Sequence, residues 1–283
     1  MRPPRAKKNL GQNFLVDEGY ARRIVGALAP RADETVVEIG AGRGALTSHL
    51  IESAGRVVAV EFDRGLVPIL RERFAPRDNF SLVEADALTL DFCAAIAPAE
   101  RARIIANLPY NISTAILQRL IEQRRCVSEM VLMLQREVVE RITAPPGSTE
   151  RGYLTVLVEA HYEAEALFDV PPVAFRPVPK VWSTVVRLRA HERRLDLQDE
   201  RLLWRVVSTG FAQRRKTINN NLRSAPEELR ARIESVGGAV LLLETARVEP
   251  SRRAETLTLD EWATLARALE EAEAASSLGS GSV

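Results

Sequence analysis

The chain has 283 residues, 46% of them apolar and 27% charged, with a net charge of +1. That is ample for one sizeable core and a smaller second unit. No apolar run approaches a membrane span, and the basic start lacks the apolar stretch of a secretory signal. Charge is unevenly spread: Arg2, Arg5, Lys7 and Lys8 precede any acid, whereas Glu270, Glu271 and Glu273 crowd the far end. A cytosolic protein with a mobile basic arm over residues 1–12 is expected. Cys93 and Cys126, far apart and outside any CxxC, are expected as reduced core thiols. His49, His161 and His191 stand alone, so no zinc site is arguable.

The segment Lys7–Leu15, KKNLGQNFL, leads into a helix. Its N-cap is expected at Asp17, with Tyr20, Ile24, Val25 and Leu28 at helical spacing. The GQNFL part is either a loop lying over a ligand or a tail pinned by Phe14. Thr35–Ile39 then reads as a strand entering the G-x-G-x-G loop Gly40-Ala41-Gly42-Arg43-Gly44, where the backbone can come close to a ligand at a helix N-terminus. The spacing is not that of the dinucleotide fingerprint. Arg56–Glu61 is a second buried strand, and an acid at its end suits a bidentate contact to a ribose diol. Phe80–Asp86 is a third, whose Asp86 can accept a hydrogen bond from an adenine amino group.

A fourth strand, Ile104-Ile105-Ala106, runs into Asn107-Leu108-Pro109-Tyr110. Pro109 fixes its own φ, lacks an N–H and pushes Leu108 toward an extended conformation. The stiff turn can aim the Asn107 amide oxygen and the Leu108 carbonyl at one point. Two adjacent acceptors suit an exocyclic amino group: held by both N–H groups, adenine N6 is favoured in the form whose lone pair can attack. Tyr110 offers a face for stacking. An Asn-capped helix start with a buried Tyr is the plainer alternative.

Glu129–Gln135 reads as strand five, and a helix from Arg136 ends before Pro145-Pro146-Gly147. Tyr153–Tyr162 is helix or strand, expected to pack on the sheet. Ala166–Val170 and Ser183–Leu188 form an expected antiparallel pair around the rigid, proline-dense loop from Pro171 to Val181. Its Phe175, Arg176 and Lys180 suit covering a base and holding phosphates; Phe175 could equally be core. His191–Asp196 is a charged connector. In the helical remainder, Phe211, Ile218 and Leu222 are expected on one apolar stripe, with Arg214, Arg215, Lys216 and Arg223 crowding the rest. These form either a solvated basic face or a phosphate-binding one, the latter favoured if the upstream site acts on a nucleic acid. Trp262, Leu265 and Leu269 anchor a last helix.

The strand-end glycine loop and acids resemble those of class I S-adenosylmethionine methyltransferases, and NLPY is similar to the motif of their amino-group-methylating members. With KKNLGQNFLVD, VVEIGAGRGALT, EADAL, NLPYNIST, AFRPVPKVWSTVVRL and FAQRRKTINNNL in order, the chain to about residue 270 resembles the bacterial small-subunit ribosomal RNA adenine dimethyltransferases. Asn219 departs from the Arg or Lys common in relatives. The resemblance implies an α/β, Rossmann-like catalytic domain over 1–191, a helical RNA-binding domain over 192–273 and a disordered tail over 274–283. It implies S-adenosylmethionine contacts from Asn13, Leu15, Gly40, Glu61, Asp86 and Asn107. It also implies a target adenine held by Asn107, Leu108, Pro109 and Tyr110, with Phe175 stacked opposite Tyr110. The implied reaction is N6,N6-dimethylation of two neighbouring adenines in the 3′-terminal hairpin of small-subunit rRNA, by a cytoplasmic monomer acting on an assembling subunit. A large-subunit rRNA methyltransferase of the antibiotic-resistance type and a non-catalytic assembly or transcription factor are the rival readings.

Overall fold

The computed structural model describes residues 6–7, 10–191 and 195–279, with side chains to residue 271. The chain forms two compact units, one comprising residues 1–140 and 162–191, the other residues 141–161 and 192–283.

The first unit is built on a seven-stranded sheet. A two-residue strand β1 (Phe14–Leu15) precedes helix α1 (Glu18–Leu28), whose N-cap Asp17 accepts from the Tyr20 N–H at 3.1 Å and whose Ala21, Ile24, Val25 and Leu28 are buried. Then strands and helices alternate: β2 (Thr35–Ile39), α2 (Thr47–Ser53), β3 (Arg56–Glu61), α3 (Val67–Phe74), β4 (Phe80–Glu84), α4 (Phe92–Ala95), β5 (Ala102–Asn107), α5 (Ser113–Glu122) and β6 (Val127–Gln135). Strands covered by helices on both faces read as apolar runs rather than alternating patterns; β2 and β3 are buried almost throughout. After α6 (Arg136–Ile142) and α7 (Tyr153–Glu159), the chain returns with β7 (Tyr162–Val170), a short β8 (Phe175–Arg176) and β9 (Ser183–Ala190).

The sheet order is β4-β3-β2-β5-β6-β9-β7; β4 through β6 pair in parallel, and β9 is antiparallel to both its neighbours. The order reverses at β2 and β5. Crevices at such a reversal, outside the carboxyl ends of the strands, are where open α/β sheets bind ligands.

In the second unit, α8 (Glu200–Gly210), α9 (Ile218–Arg223), α10 (Glu227–Ser235), α11 (Ala239–Thr245) and α12 (Leu259–Gly279) enclose a core around Val206, Leu222, Leu243 and Trp262.

Several expectations are corrected. Residues 153–159 are helical, and Val156 joins the core of the second unit instead of packing on the sheet. Residues 211–217 are not helical: α8 stops at Gly210, Asn221 Nδ2 holds the Gly210 carbonyl at 2.6 Å, and Thr217 caps a new helix through the Asn220 N–H at 3.3 Å. The residues Arg214, Arg215 and Lys216 therefore sit on a turn. Helix α12 continues through residues 274–279, where a disordered tail was expected, as its run of Ala and Glu favours; residues 280–283 lie outside the described ones. Cys93 and Cys126 form a disulfide, not two free thiols. Gln123 brings their elements together, accepting from the Phe92 N–H at 2.7 Å and donating to the Leu90 carbonyl at 2.9 Å. Within the expected basic arm, Lys7 is fixed by an ion pair to Asp63; residues 1–5 and 8–9 lie outside the described ones. Among the described residues, no helix is long and apolar enough to cross a membrane.

Gly210 shows how tightly the second core is filled. A Cβ there would lie 2.3 Å from Trp262 Cη2, and Trp262 is wholly buried. Gly210→Ala is expected to lower the thermal midpoint of the full chain, at a cost of about 1–3 kcal/mol for overpacking. Circular dichroism melts of wild type and variant check this.

Candidate active site

A cavity of about 260 Å³ lies within the first unit, lined by residues from five places in the chain. These are Leu10–Phe14, the turn after β2 (Ile39, Gly40, Gly42), the end of β3 (Val60, Glu61, Phe62), the turn after β4 (Ala85–Leu88) and the stretch from Asn107 to Ile112. Each strand delivers its loop at its carboxyl end, so the parallel sheet gathers them at one edge.

The glycine loop bends as it does because Gly40, Gly42 and Gly44 all have positive φ. At Gly44 the need is also spatial: a Cβ would lie 2.5 Å from Phe74 Cε2. The loop then closes on Glu61. The Gly42 N–H donates to Glu61 Oε2 and the Asp63 N–H to Oε1, both at 2.8 Å. Burial pushes the Glu61 carboxyl above its ordinary pKa, although these backbone donors oppose the rise. Each carboxylate oxygen retains a second lone pair, the arrangement a vicinal diol requires. Asp86 is half-buried and caps its own turn, Oδ1 accepting from the Leu88 N–H at 2.9 Å. Phe62, 56% exposed, presents an aromatic surface at the cavity.

At the other wall, Asn107 closes β5. Its Nδ2 donates to the Asn13 carbonyl at 3.1 Å, which commits the nitrogen and leaves the amide oxygen as an acceptor. The Leu108 N–H bonds the Met133 carbonyl at 3.3 Å, tying the turn to β6, and the Ile112 N–H returns to the Pro109 carbonyl at 3.2 Å. The Tyr110 hydroxyl shares a 2.6 Å hydrogen bond with Ser183 Oγ at the start of β9. Burial raises the Tyr110 pKa, so the phenol stays neutral.

The structure thus brings Asn13, Gly40, Glu61, Asp86, Asn107, Leu108, Pro109 and Tyr110 to one cavity. Two expected members lie elsewhere. Leu15 belongs to the core and is not among the lining residues; its neighbour Phe14 is. Phe175 is wholly buried in the same core and presents no open face for a base opposite Tyr110. The cause is backbone pairing: Leu15 and Phe175 sit opposite each other where β1 and β8 join antiparallel. Arg176 and Lys180 are exposed in the first unit, and Arg176 Nη1 is bound to the Val173 and Phe175 carbonyls at 3.1 and 2.8 Å. Arg214, Arg215, Lys216 and Arg223 are exposed on the second unit, where Arg214 also donates to the Thr149 carbonyl.

Gly42, read from sequence only as part of the glycine loop, lines the cavity. Residues missed from sequence include Phe62 and the pair Glu38 and Asp63. Phe62 carried a signal, since it follows the strand-end acid. Glu38 and Asp63 carried none beyond proximity. Glu38, in β2, is 2% exposed and accepts from Thr47 Oγ1 at 2.6 Å. Its burial, together with the nearby Glu61 charge, raises its pKa to about 8. Asp63 is 3% exposed; burial alone would raise its carboxyl, but bonds from Lys7, Gln12 and the Gly65 N–H hold it below the ordinary value.

The chain matches the family model described as ribosomal RNA adenine dimethylase over residues 4–265. It is 43% identical to ribosomal RNA small subunit methyltransferase A of Hahella chejuensis over 262 residues, 92% of each chain. To the protein of the same description from Pseudomonas aeruginosa it is 41% identical, covering 94% of this chain and 96% of that one. Among solved structures, a dimethyladenosine transferase from Plasmodium falciparum has the same fold, with a TM-score of 0.79 at 23% identity over 92% of this chain and 98% of that one. The 23S rRNA methyltransferase ErmE has a TM-score of 0.68 at 28% identity, covering 91% of this chain and all of that one.

The raised Glu38 pKa has a measurable consequence. Between about pH 4.5 and about 8 the folded chain binds a proton at Glu38 that the unfolded chain releases, so this group costs stability as pH rises through that window. Glu38→Gln, which cannot ionise, is expected to melt at a higher temperature than wild type at pH 9, the difference shrinking toward pH 4.5. Paired melts across the range check the sign.

Proposed function

This chain belongs to the ribosomal RNA adenine dimethylase family, and from that premise we propose that it dimethylates N6 of two adjacent adenines in the 3′-terminal hairpin of small-subunit rRNA, using S-adenosylmethionine. The observation that carries this reading is the Asn107 amide, whose nitrogen is committed to the Asn13 carbonyl. Its oxygen and the Leu108 carbonyl are the pair of acceptors an exocyclic amino group with two protons needs.

The cavity residues fit the cofactor. Glu61 has open lone pairs for ribose hydroxyls, Asp86 can accept from an adenine amino group beside Phe62, and the loop at Gly40 and Gly42 allows close backbone approach. Asn13 and Asn107 complete the set we assign to it; Phe14 replaces Leu15 as the side chain at the cavity. The cofactor supplies a methyl group already activated on a sulfonium, so no general base is required. What remains for the protein is alignment: Asn107 and Leu108 would hold N6 by accepting from its two N–H groups, and Tyr110 would stack on the base. The N6 proton leaves to water once the nitrogen has become cationic.

For the RNA we assign Arg176 and Lys180 on the first unit and Arg214, Arg215, Lys216 and Arg223 on the second; all are exposed. Lys and Arg at such positions neutralise phosphates without reading sequence. An assembling small subunit as substrate, a monomeric enzyme and a cytoplasmic location complete the reading.

The direct test is methyl transfer from labelled S-adenosylmethionine to under-methylated small subunits, with large-subunit RNA in parallel. Dimethyladenine in the small-subunit hairpin is the expected product; label only in large-subunit RNA would replace this reading with the resistance type. Asn107→Ala is expected to lower kcat by a factor of about 10²–10³, roughly 2.7–4 kcal/mol in the barrier. Wild-type turnover at saturating cofactor would defeat the assigned role. Tyr110→Phe keeps the ring and loses only the bond to Ser183, so its effect should be small. Tyr110→Ala removes a stacking surface worth about 1–3 kcal/mol and should act mainly on KM for RNA.

A further inference from the structure

Asp63 lies two residues beyond Glu61, yet it lines no part of the cavity. It nonetheless accepts three hydrogen bonds. Lys7 Nζ reaches Asp63 Oδ1 at 2.6 Å, Gln12 Nε2 reaches Oδ2 at 2.8 Å, and the Gly65 N–H reaches Oδ1 at 2.8 Å. Two of these three donors come from the N-terminal segment. That segment supplies Leu10, Gly11, Gln12, Asn13 and Phe14 to the cavity wall.

We propose that Asp63 is a positioning residue: it latches the N-terminal segment onto the end of β3, and through that segment it both closes the cofactor cavity and sets the Asn107 amide.

The chain of contacts is continuous. The Lys7 N–H donates to Gln12 Oε1 at 2.8 Å, and the Leu10 N–H to the Lys7 carbonyl at 3.1 Å, so the Gln12 side chain is braced on the Lys7 backbone. Next along the segment, Gly11 has φ +62° and packs so closely that a Cβ would lie 2.3 Å from Asn111 Oδ1. The Asn13 carbonyl then accepts from Asn107 Nδ2, and β1 pairs with β8 immediately after. The segment is thus tied at β8 on one side and at Asp63 on the other, with the acceptor of the Asn107 amide between the two ties. Releasing the Asp63 tie frees the wall and slackens the carbonyl that holds the amide nitrogen. A dimethylase also needs more than one cofactor molecule for each adenine, so the firmness of this wall bears on every exchange.

Asp63→Asn is the sharp variant. It keeps an acceptor for the Gly65 N–H but points an amide N–H₂ at the Gln12 amide. Gln12 cannot simply flip to accept it without giving up the Lys7 N–H. Lys7→Met with Gln12→Ala removes the same tie from the segment side and leaves Asp63 and its own turn intact.

This inference rests on S-adenosylmethionine as the ligand of the cavity. The experiment is therefore titration calorimetry of S-adenosylmethionine against the full chain without RNA, followed by kcat and KM on small subunits. Asp63→Asn is expected to raise the cofactor Kd at least tenfold, to lower kcat less than Asn107→Ala does, and to leave KM for RNA unchanged. The Lys7→Met, Gln12→Ala variant should match it, and combining all three changes should add little further. Wild-type Kd in both variants, or full additivity when combined, would overturn the latch. Absence of binding by the wild-type chain would instead overturn the cofactor assignment.

Discussion

The site depends on one pairing, the parallel register of β2 with β5 that sets Ile39 beside Ala106. Sheet order runs outward in opposite directions from these two strands, so their carboxyl ends are left without a covering crossover. Gly40 and Asn107 are the next residues in each chain direction. A slip of one residue in this register would turn every side chain of β5 to the other face of the sheet. It would also move the Asn107 turn relative to the glycine loop. The apolar residues of β5, including Ile104 and Ile105, are packed against other buried groups, and their burial is what makes such a slip costly.

That same burial creates an electrostatic problem around β2 and β3. Glu38, Glu61 and Asp63 are each nearly inaccessible and all acidic, and burying a carboxylate without compensation is expensive. The structure handles each differently. Glu38 takes up a proton and keeps a hydroxyl donor from Thr47. Glu61 receives two backbone N–H groups, enough to seat it but not enough to cancel desolvation. Asp63 obtains a cation. The partially satisfied member is the one that faces the cavity, where the missing hydrogen bonds are those a bound diol can supply.

The sequence carried the strands of the first unit and their terminal residues because both-face burial writes itself as apolar runs, as in Val57–Val60, ended by Gly or acid. The rigid turn at Asn107 was legible from Pro109 alone. What was not legible depended on contacts between distant segments. The strands β1 and β8 are two residues each, too short for any alternation, so nothing in GQNFL or AFRPV announces that Leu15 and Phe175 bury each other. The helix break after Gly210 turns on Asn221 reaching back to a carbonyl eleven residues earlier, and Ile218 with Leu222 fits one apolar stripe either way. The helix Tyr153–Glu159 is apolar enough to serve either core. The pairing of Cys93 with Cys126 depends on Gln123, which carries no motif.

The N-terminal segment joins these two lessons. A residue such as Phe14, read from sequence as a tail anchor or as part of a covering loop, turns out to be buried and at the cavity wall at once. The guanidinium of Arg43, from the glycine loop, stacks over its ring at 4.3 Å, and a Cβ on Gly42 would lie 3.3 Å from that ring. The segment therefore touches the glycine loop through Phe14, the β3 acid turn through Lys7 and Gln12, and the Asn107 amide through Asn13. Three of the strand-end loops that the sheet gathers independently are connected to one another by a stretch of chain that is not part of the sheet. Apart from the two-residue pairing of β1 with β8, those contacts are an ion pair, side-chain hydrogen bonds and one ring face, so this is the part of the cavity wall that can loosen while the seven-stranded sheet stays intact.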